Sequence, residues 1–175
     1  MSITSGTGII TDADTNIDFD STLYDSQGGV LNQSVEWNTE NGSIDSTGLF
    51  TPHSVGTWVI SACFGAVCHS LQVSVTPGAA VVHIVNPTTA TITADESLDI
   101  EVKVLDQHGN LVSQPSIQWQ SSNGSLSTIS PSTGWNEAQR FFAWTAGQQS
   151  VNVSWNSISI EVMITVNTGA PSHFE

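Results

Sequence analysis

The chain has 175 residues, 38% of them apolar, and sets sixteen acidic side chains against two basic ones, Lys103 and Arg140, for a formal net charge of −14. Such a polyanion repels phosphate backbones and anionic lipid headgroups, so no nucleic-acid partner and no attachment to an acidic membrane surface is expected. No apolar run is long enough to insert in a membrane as a helix, and Met1 is not followed by the basic and apolar stretches of a signal peptide. Both halves of the chain are acidic, and the part before Pro77 has no Lys or Arg at all. A solvated acidic surface explains this without any acidic binding site.

Taken in order, the segments read as β-strands, because apolar residues alternate with period two and no stretch holds helical periodicity over three turns. Ile17-Asp-Phe19-Asp-Ser-Thr-Leu23 predicts one strand, set between the polar turn Ala13–Asn16 and the Gly-containing turn Asp25–Gly29. Asp opens such turns by bonding its own backbone, and Gly supplies the positive φ. Val35-Glu-Trp37 predicts the next strand, closed by Asn41-Gly-Ser43. Ile60, Ala62 and Phe64 alternate up to Gly65-Ala66, and Val67, Leu71, Val73 and Val75 run back. A two-residue loop led by Gly suits a primed turn and therefore a hairpin. Thr76-Pro-Gly-Ala-Ala80 ends that run, because Pro cannot donate to a ladder.

The same signals then return. Leu98-Asp-Ile100-Glu-Val102-Lys-Val104 matches the Ile17–Leu23 segment, and its following turn is Asp106-Gln-His-Gly-Asn110. Ile117-Gln-Trp119 precedes Asn123-Gly-Ser125, and Val151, Val153 and Trp155 lead through Asn156-Ser157 into Ile158, Ile160, Val162, Ile164 and Val166. A repeat of this length implies two units rather than one large one. Short strands with a turn signal every 8–12 residues predict an all-β protein, two tandem immunoglobulin-like β-sandwich domains. The boundaries expected are 1–77, with a truncated first strand, then 78–168, then 169–175 as a linker or the start of a following strand. The copies differ most at Ser132–Gly147, where the second is longer. There Phe142 and Trp144 share a strand face and are expected to pack inward, with Arg140 on the same face at the rim. Trp37 and Trp119, each two residues after an apolar one, complete the predicted core. Trp58 is a less certain core position.

Cys63 and Cys68 flank the Gly65-Ala66 turn. If Phe64 and Val67 pair next to it, the cysteines fall on the following pair, where Cα atoms come within roughly 4.5 Å, inside disulfide reach. A cross-strand disulfide is expected, and with it an extracellular or cell-surface location. Two reduced thiols remain the alternative. A zinc site with His69 is poorer, since His69 and Cys68 point to opposite faces of a strand. Asp12, Asp14, Asn16, Asp18 and Asp20 resemble the start of a calcium loop, but Ile17 stands where the tight turn needs Gly and Leu23 where a closing Glu belongs. No cofactor is expected; calcium at a module junction is the one left open. Asn32, Asn41, Asn123 and Asn152 each open an Asn-x-Ser glycosylation sequon, though Asn41 and Asn123 also have plain turn chemistry to explain them. Trp135 stands in a loop-like tract, where it could stack on a sugar. The five histidines are scattered, no nucleophile motif or phosphate loop is present, and the chain is not expected to be an enzyme.

The run VEW…NGSIDSTGLFTP…GTWVISA resembles the bacterial Ig-like (Big) domains, the repeat modules of invasin- and intimin-type adhesins and other prokaryotic surface proteins. The second copy, ITADESLDIEVKVLDQHGN…IQW…NGSL…GQQSVNVSW, is similar to the same family with a longer central tract. The resemblance implies rigid, non-catalytic spacer modules whose partners are neighbouring Ig-like modules of the same array. Two rival functions follow from the residues themselves. One is an extracellular filament subunit that self-associates by donating its terminal strand. The other is a carbohydrate-binding accessory module of a polysaccharide-active enzyme.

Overall fold

A computed structural model describes residues 2–4, 9–113 and 115–170. All regular structure in them is β, and no described helix is long and apolar enough to cross a membrane. The chain divides into two compact units, the first built from residues 1–79 and 106–110, the second from residues 80–105 and 111–175.

In the first unit the strands are β1 (Ser2–Thr4), β2 (Ile9–Asp12), β3 (Ile17–Asp18), β4 (Asp20–Tyr24), β5 (Val30–Leu31), β6 (Glu36–Thr39), β7 (Ser43–Ile44), β8 (Leu49–Thr51), β9 (Gly56–Phe64) and β10 (Val67–Thr76). One sheet runs β2-β10-β9-β6; the opposing layer is split into β1-β4-β5 and β3-β8-β7. The split corrects the expectation of a single strand from Ile17 to Leu23. At Phe19 the backbone leaves the ladder and its N–H donates to the Gly48 carbonyl at 3.0 Å. Gly48 has φ +99°, and a Cβ there would lie 2.1 Å from the Phe19 oxygen, so the crossing is open only to glycine. Phe19 keeps the inward parity of Ile17, with Asp18 and Asp20 outward, and buries its whole ring in the core, 6.3 Å from both Trp37 and Phe50. Ile60, Ala62, Val73 and Val75 complete that core, with Trp37 and Trp58 half-buried against it.

The second unit contains β11 (Ala80–Asn86), β12 (Thr89–Thr93), β13 (Ser97–Asp106), β14 (Gln118–Ser121), β15 (Ser125–Ile129), β16 (Glu137–Phe142), β17 (Gly147–Trp155) and β18 (Ile158–Asn167). Two four-stranded sheets face each other, β11-β13-β16-β15 and β12-β18-β17-β14. Alternate residues of β13, Ile100, Val102 and Val104, meet Val151, Val153, Val162, Ile164 and Val166 in one core. Trp119 is half-buried against it.

Phe142 and Trp144 are not in that core. They are 41% and 67% exposed, while Phe141 is fully buried. The pairing with β13 explains the correction: Leu98 stands opposite Phe141 and Ile100 opposite Gln139, which sends odd-numbered residues of β16 inward. A shift of one residue moves every side chain to the other face. Arg140 is outward with Phe142, clasping Asp99 through Nε–Oδ1 at 2.6 Å and its terminal nitrogen to Oδ2 at 2.8 Å. Inward Glu137 accepts from Trp119 Nε1 at 3.1 Å, across the sandwich. Ala138 is outward by register yet buried. The tract before it folds back over that face, with Ser132 N–H on Glu101 at 2.6 Å and the Trp135 ring 5.0 Å from Lys103 Nζ.

Both units close in the same way. The last strand pairs antiparallel with the one before it and parallel with the short second strand, β10 with β2 and β18 with β12. The two hairpin loops begin with Gly65 at φ +59° and Asn156 at φ +50°, the left-handed conformation that a primed turn asks for. The tail expected to begin a further strand lies, from residue 171 on, outside the described residues.

Candidate functional site

The side chains with chemical potential fall into separate groups. Cys63 and Cys68 stand opposite each other in the β9–β10 ladder and form a disulfide, with Cα atoms 4.1 Å apart. The bridge removes both thiolates from any metal chemistry. It sits near the exposed end of the hairpin, where Phe64 and Val67 are 42% and 54% exposed. In the second unit Ser154 and Ser159 hold the same register.

Carboxylates are abundant but spent singly. Asp25 Oδ1 accepts from the backbone of Gln27 and Gly29, both at 2.8 Å, and Asp106 Oδ1 does the same for His108 at 2.9 Å and Asn110 at 2.8 Å. Asp45 closes a third such turn by accepting from Thr47 and Leu49, and the Thr47 hydroxyl, followed by those backbone donors, lowers its pKa. Asp14 accepts from Ala79 N–H, and its counterpart Asp95 from Ala170 N–H, both at 2.7 Å. A Cβ on the preceding Gly78 or Gly169 would fall 2.2 Å from the carboxylate, which accounts for the repeated Gly-Ala punctuation. Asp99 is held below the usual carboxylate range by Arg140, first through the hydrogen bond and then through its charge. Among the described residues no three His, Cys, Asp or Glu side chains converge as a metal site requires.

Of the sequon residues, Asn32 is open to solvent. Asn41 and Asn123 precede Gly42 and Gly124, at φ +77° and +122°, where a Cβ would approach the Thr51 and Phe142 carbonyl oxygens to 2.4 and 2.5 Å. Asn123 Nδ2 donates to Thr145, and Asn152 accepts from Ser159 within the β17–β18 ladder. Trp135, considered above as a sugar platform, has its ring under the Lys103 ammonium; the exposed tryptophan is Trp144. The inward Glu137 and the Lys103–Trp135 contact have no local signal in the sequence, since each partner is far along the chain.

The solved structures this chain resembles can now be set beside it. Over 96% of its length it superposes on InvD of Yersinia pseudotuberculosis, with a TM-score of 0.59 and 17% identity. Over 97% it superposes on invasin, a bacterial integrin-binding protein, with a TM-score of 0.50 and 19% identity. The fold is immunoglobulin-like. The immunoglobulin-like chain spans 58% and 40% of those two structures. It spans 23% of the surface-layer protein SbsC (domains 1–6), matched at 17% identity over 88% of this chain with a TM-score of 0.49. No family model matches the chain, and no curated protein matches it in sequence.

Proposed function

We propose that the chain is a pair of tandem modules, 1–77 and 78–168, with 169–175 leading toward a further one. The pair serves as a non-catalytic spacer in a secreted or cell-surface repeat protein. The observation that carries this is the parallel pairing of β2 with β10 and of β12 with β18. In each unit the strand near the entry is hydrogen-bonded along the strand that leaves it. Tension on the two ends therefore loads those bonds together, in shear, rather than one at a time. The disulfide supports an oxidising location. The fold shared with invasin and InvD supports a place among neighbouring modules of an array. Pulling single molecules by their termini tests the reading: two discrete unfolding events, each releasing one module's length, are expected. A featureless extension at low force would refute it.

Trp144, 67% exposed, favours a second reading, a sugar-binding accessory module. Tryptophan fluorescence titrated with polysaccharides decides it: a saturable change lost in Trp144→Ala would establish binding. The filament reading rests on the terminal strand, and self-association that depends on protein concentration in a sizing column would be its sign.

A further inference from the structure

A cleft in the second unit has no part in the spacer reading. It opens between the two sheets with room inside for about one water molecule, ≈ 10 Å³. Its walls are apolar: β13 presents Val102 and Val104, β17 Val153 and Trp155, β18 Ile158 and Ile160. Ser154 is a neutral polar group in the lining, and among the described residues His83 of β11 is the one titratable group there. The His83 ring lies 4.8 Å from the Trp155 ring, and its Nε2 is buried without a hydrogen-bond partner.

We propose that His83 makes β11 an acid-released latch, seated while the imidazole is neutral and let go when it takes a proton. Nε2 tolerates its surroundings only as a bare acceptor. Protonation would place a donor and a charge against hydrocarbon with no acceptor in reach. The charged groups of the adjacent elements are engaged elsewhere. Asp99 holds Arg140, Glu101 holds Ser132, Lys103 lies over Trp135, and Asp106 bonds its own turn. Glu137 is bonded to Trp119, and Glu161 of β18 is exposed. None of them lines the cleft to compensate an imidazolium. Burial accordingly lowers the His83 pKa from the ordinary 6.5.

Beyond Ala80, a small residue partly buried against the core, the strand has little else to hold its first half. β11 is an edge strand with β13 as its single neighbour. Val81, Val82 and Ile84 are 53%, 42% and 37% exposed, which leaves His83 as the inward anchor of that stretch. Released, the half-strand would add its length to the connecting segment Pro77–Ala79. The sign follows from linkage: the released state binds the proton more readily, so the seated state is fully favoured above pH 6.5 and loses ground as pH falls below it.

Amide hydrogen exchange of the whole chain tests the latch, corrected for the intrinsic effect of pH on exchange. Between about pH 7.5 and about pH 5, wild-type Val81–Ile84 should lose protection several-fold, while β17 and β18 of the other sheet keep theirs. His83→Phe, or His83→Gln should the bulkier ring not be accommodated, should remove the pH dependence of that segment. Unchanged protection in the wild type, or the same loss in both variants, would overturn the proposal. So would an imidazole that titrates by NMR at or above 6.5.

Discussion

Phe141 and Phe142 are neighbours in sequence with opposite surroundings, one fully buried against Leu98 and Leu126, the other at the surface beside Ser97 and Ser125. Truncating Phe141 to Ala removes a ring from a filled core and should cost about 3–5 kcal/mol in urea denaturation. Phe142→Ala and Trp144→Ala should each stay within about 0.5 kcal/mol. Gly124→Ala belongs with the first: its φ of +122° and the 2.5 Å approach to the Phe142 oxygen leave no room for a methyl group. A loss of more than about 1 kcal/mol is expected on the same curve. The exposed Asp99–Arg140 pair behaves differently. Because the Asp99 pKa is lowered on folding, its contribution is present above the ordinary 3.8 and disappears as pH falls through the folded value. Solvent screening keeps it small. Asp99→Asn should therefore change stability little at neutral pH and flatten its decline below pH 3.8, as a pH series of melting curves would show.

The hairpins connect residue chemistry to strand register. A left-handed residue at position 65 or 156 fixes which residues face across the turn, and that choice propagates up both strands. The disulfide ties one hairpin near its exposed end, whereas its counterpart holds register with two serines. Replacing Cys63 and Cys68 together by Ser should therefore leave the ladder intact. The loop closed is short, so the cost should be about 2 kcal/mol or less, read as a lower melting temperature that added reductant no longer changes. The Asn-Gly-Ser turns and the Asp25 and Asp106 turns are also local devices, each visible in a few consecutive residues. The break at Phe19 is not. It depends on Gly48 reaching across from another part of the chain, and nothing near Phe19 announces it.

Across the whole molecule the imbalance of charge is the dominant physical fact. With a net charge of −14 the folded chain repels itself, and few cations are present to offset this. Raising sodium chloride from about 0.05 M to about 0.5 M shortens the screening length severalfold and should raise the melting temperature. A fall would mean that specific ion pairs outweigh the general repulsion. The candidate sites follow the same division between near and far. Cysteines five positions apart across a two-residue turn can be placed by counting. Lys103 over Trp135, Glu137 under Trp119 and His83 against Trp155 cannot, because each contact joins separate elements.

The sequence by itself determined the all-β immunoglobulin-like class, the repetition of its signals and the pairing at the hairpin turns. Period-two alternation and turn chemistry act over a few residues and need no distant partner. Only the tertiary structure decided which face of β16 is buried and where the Ile17–Leu23 segment breaks. The link from Ile129 to Glu137 is too long to carry parity forward as a two-residue hairpin loop does, so the face is set by cross-strand pairing with β15 and with β13, the latter roughly forty residues away, and one residue of slip would reverse it.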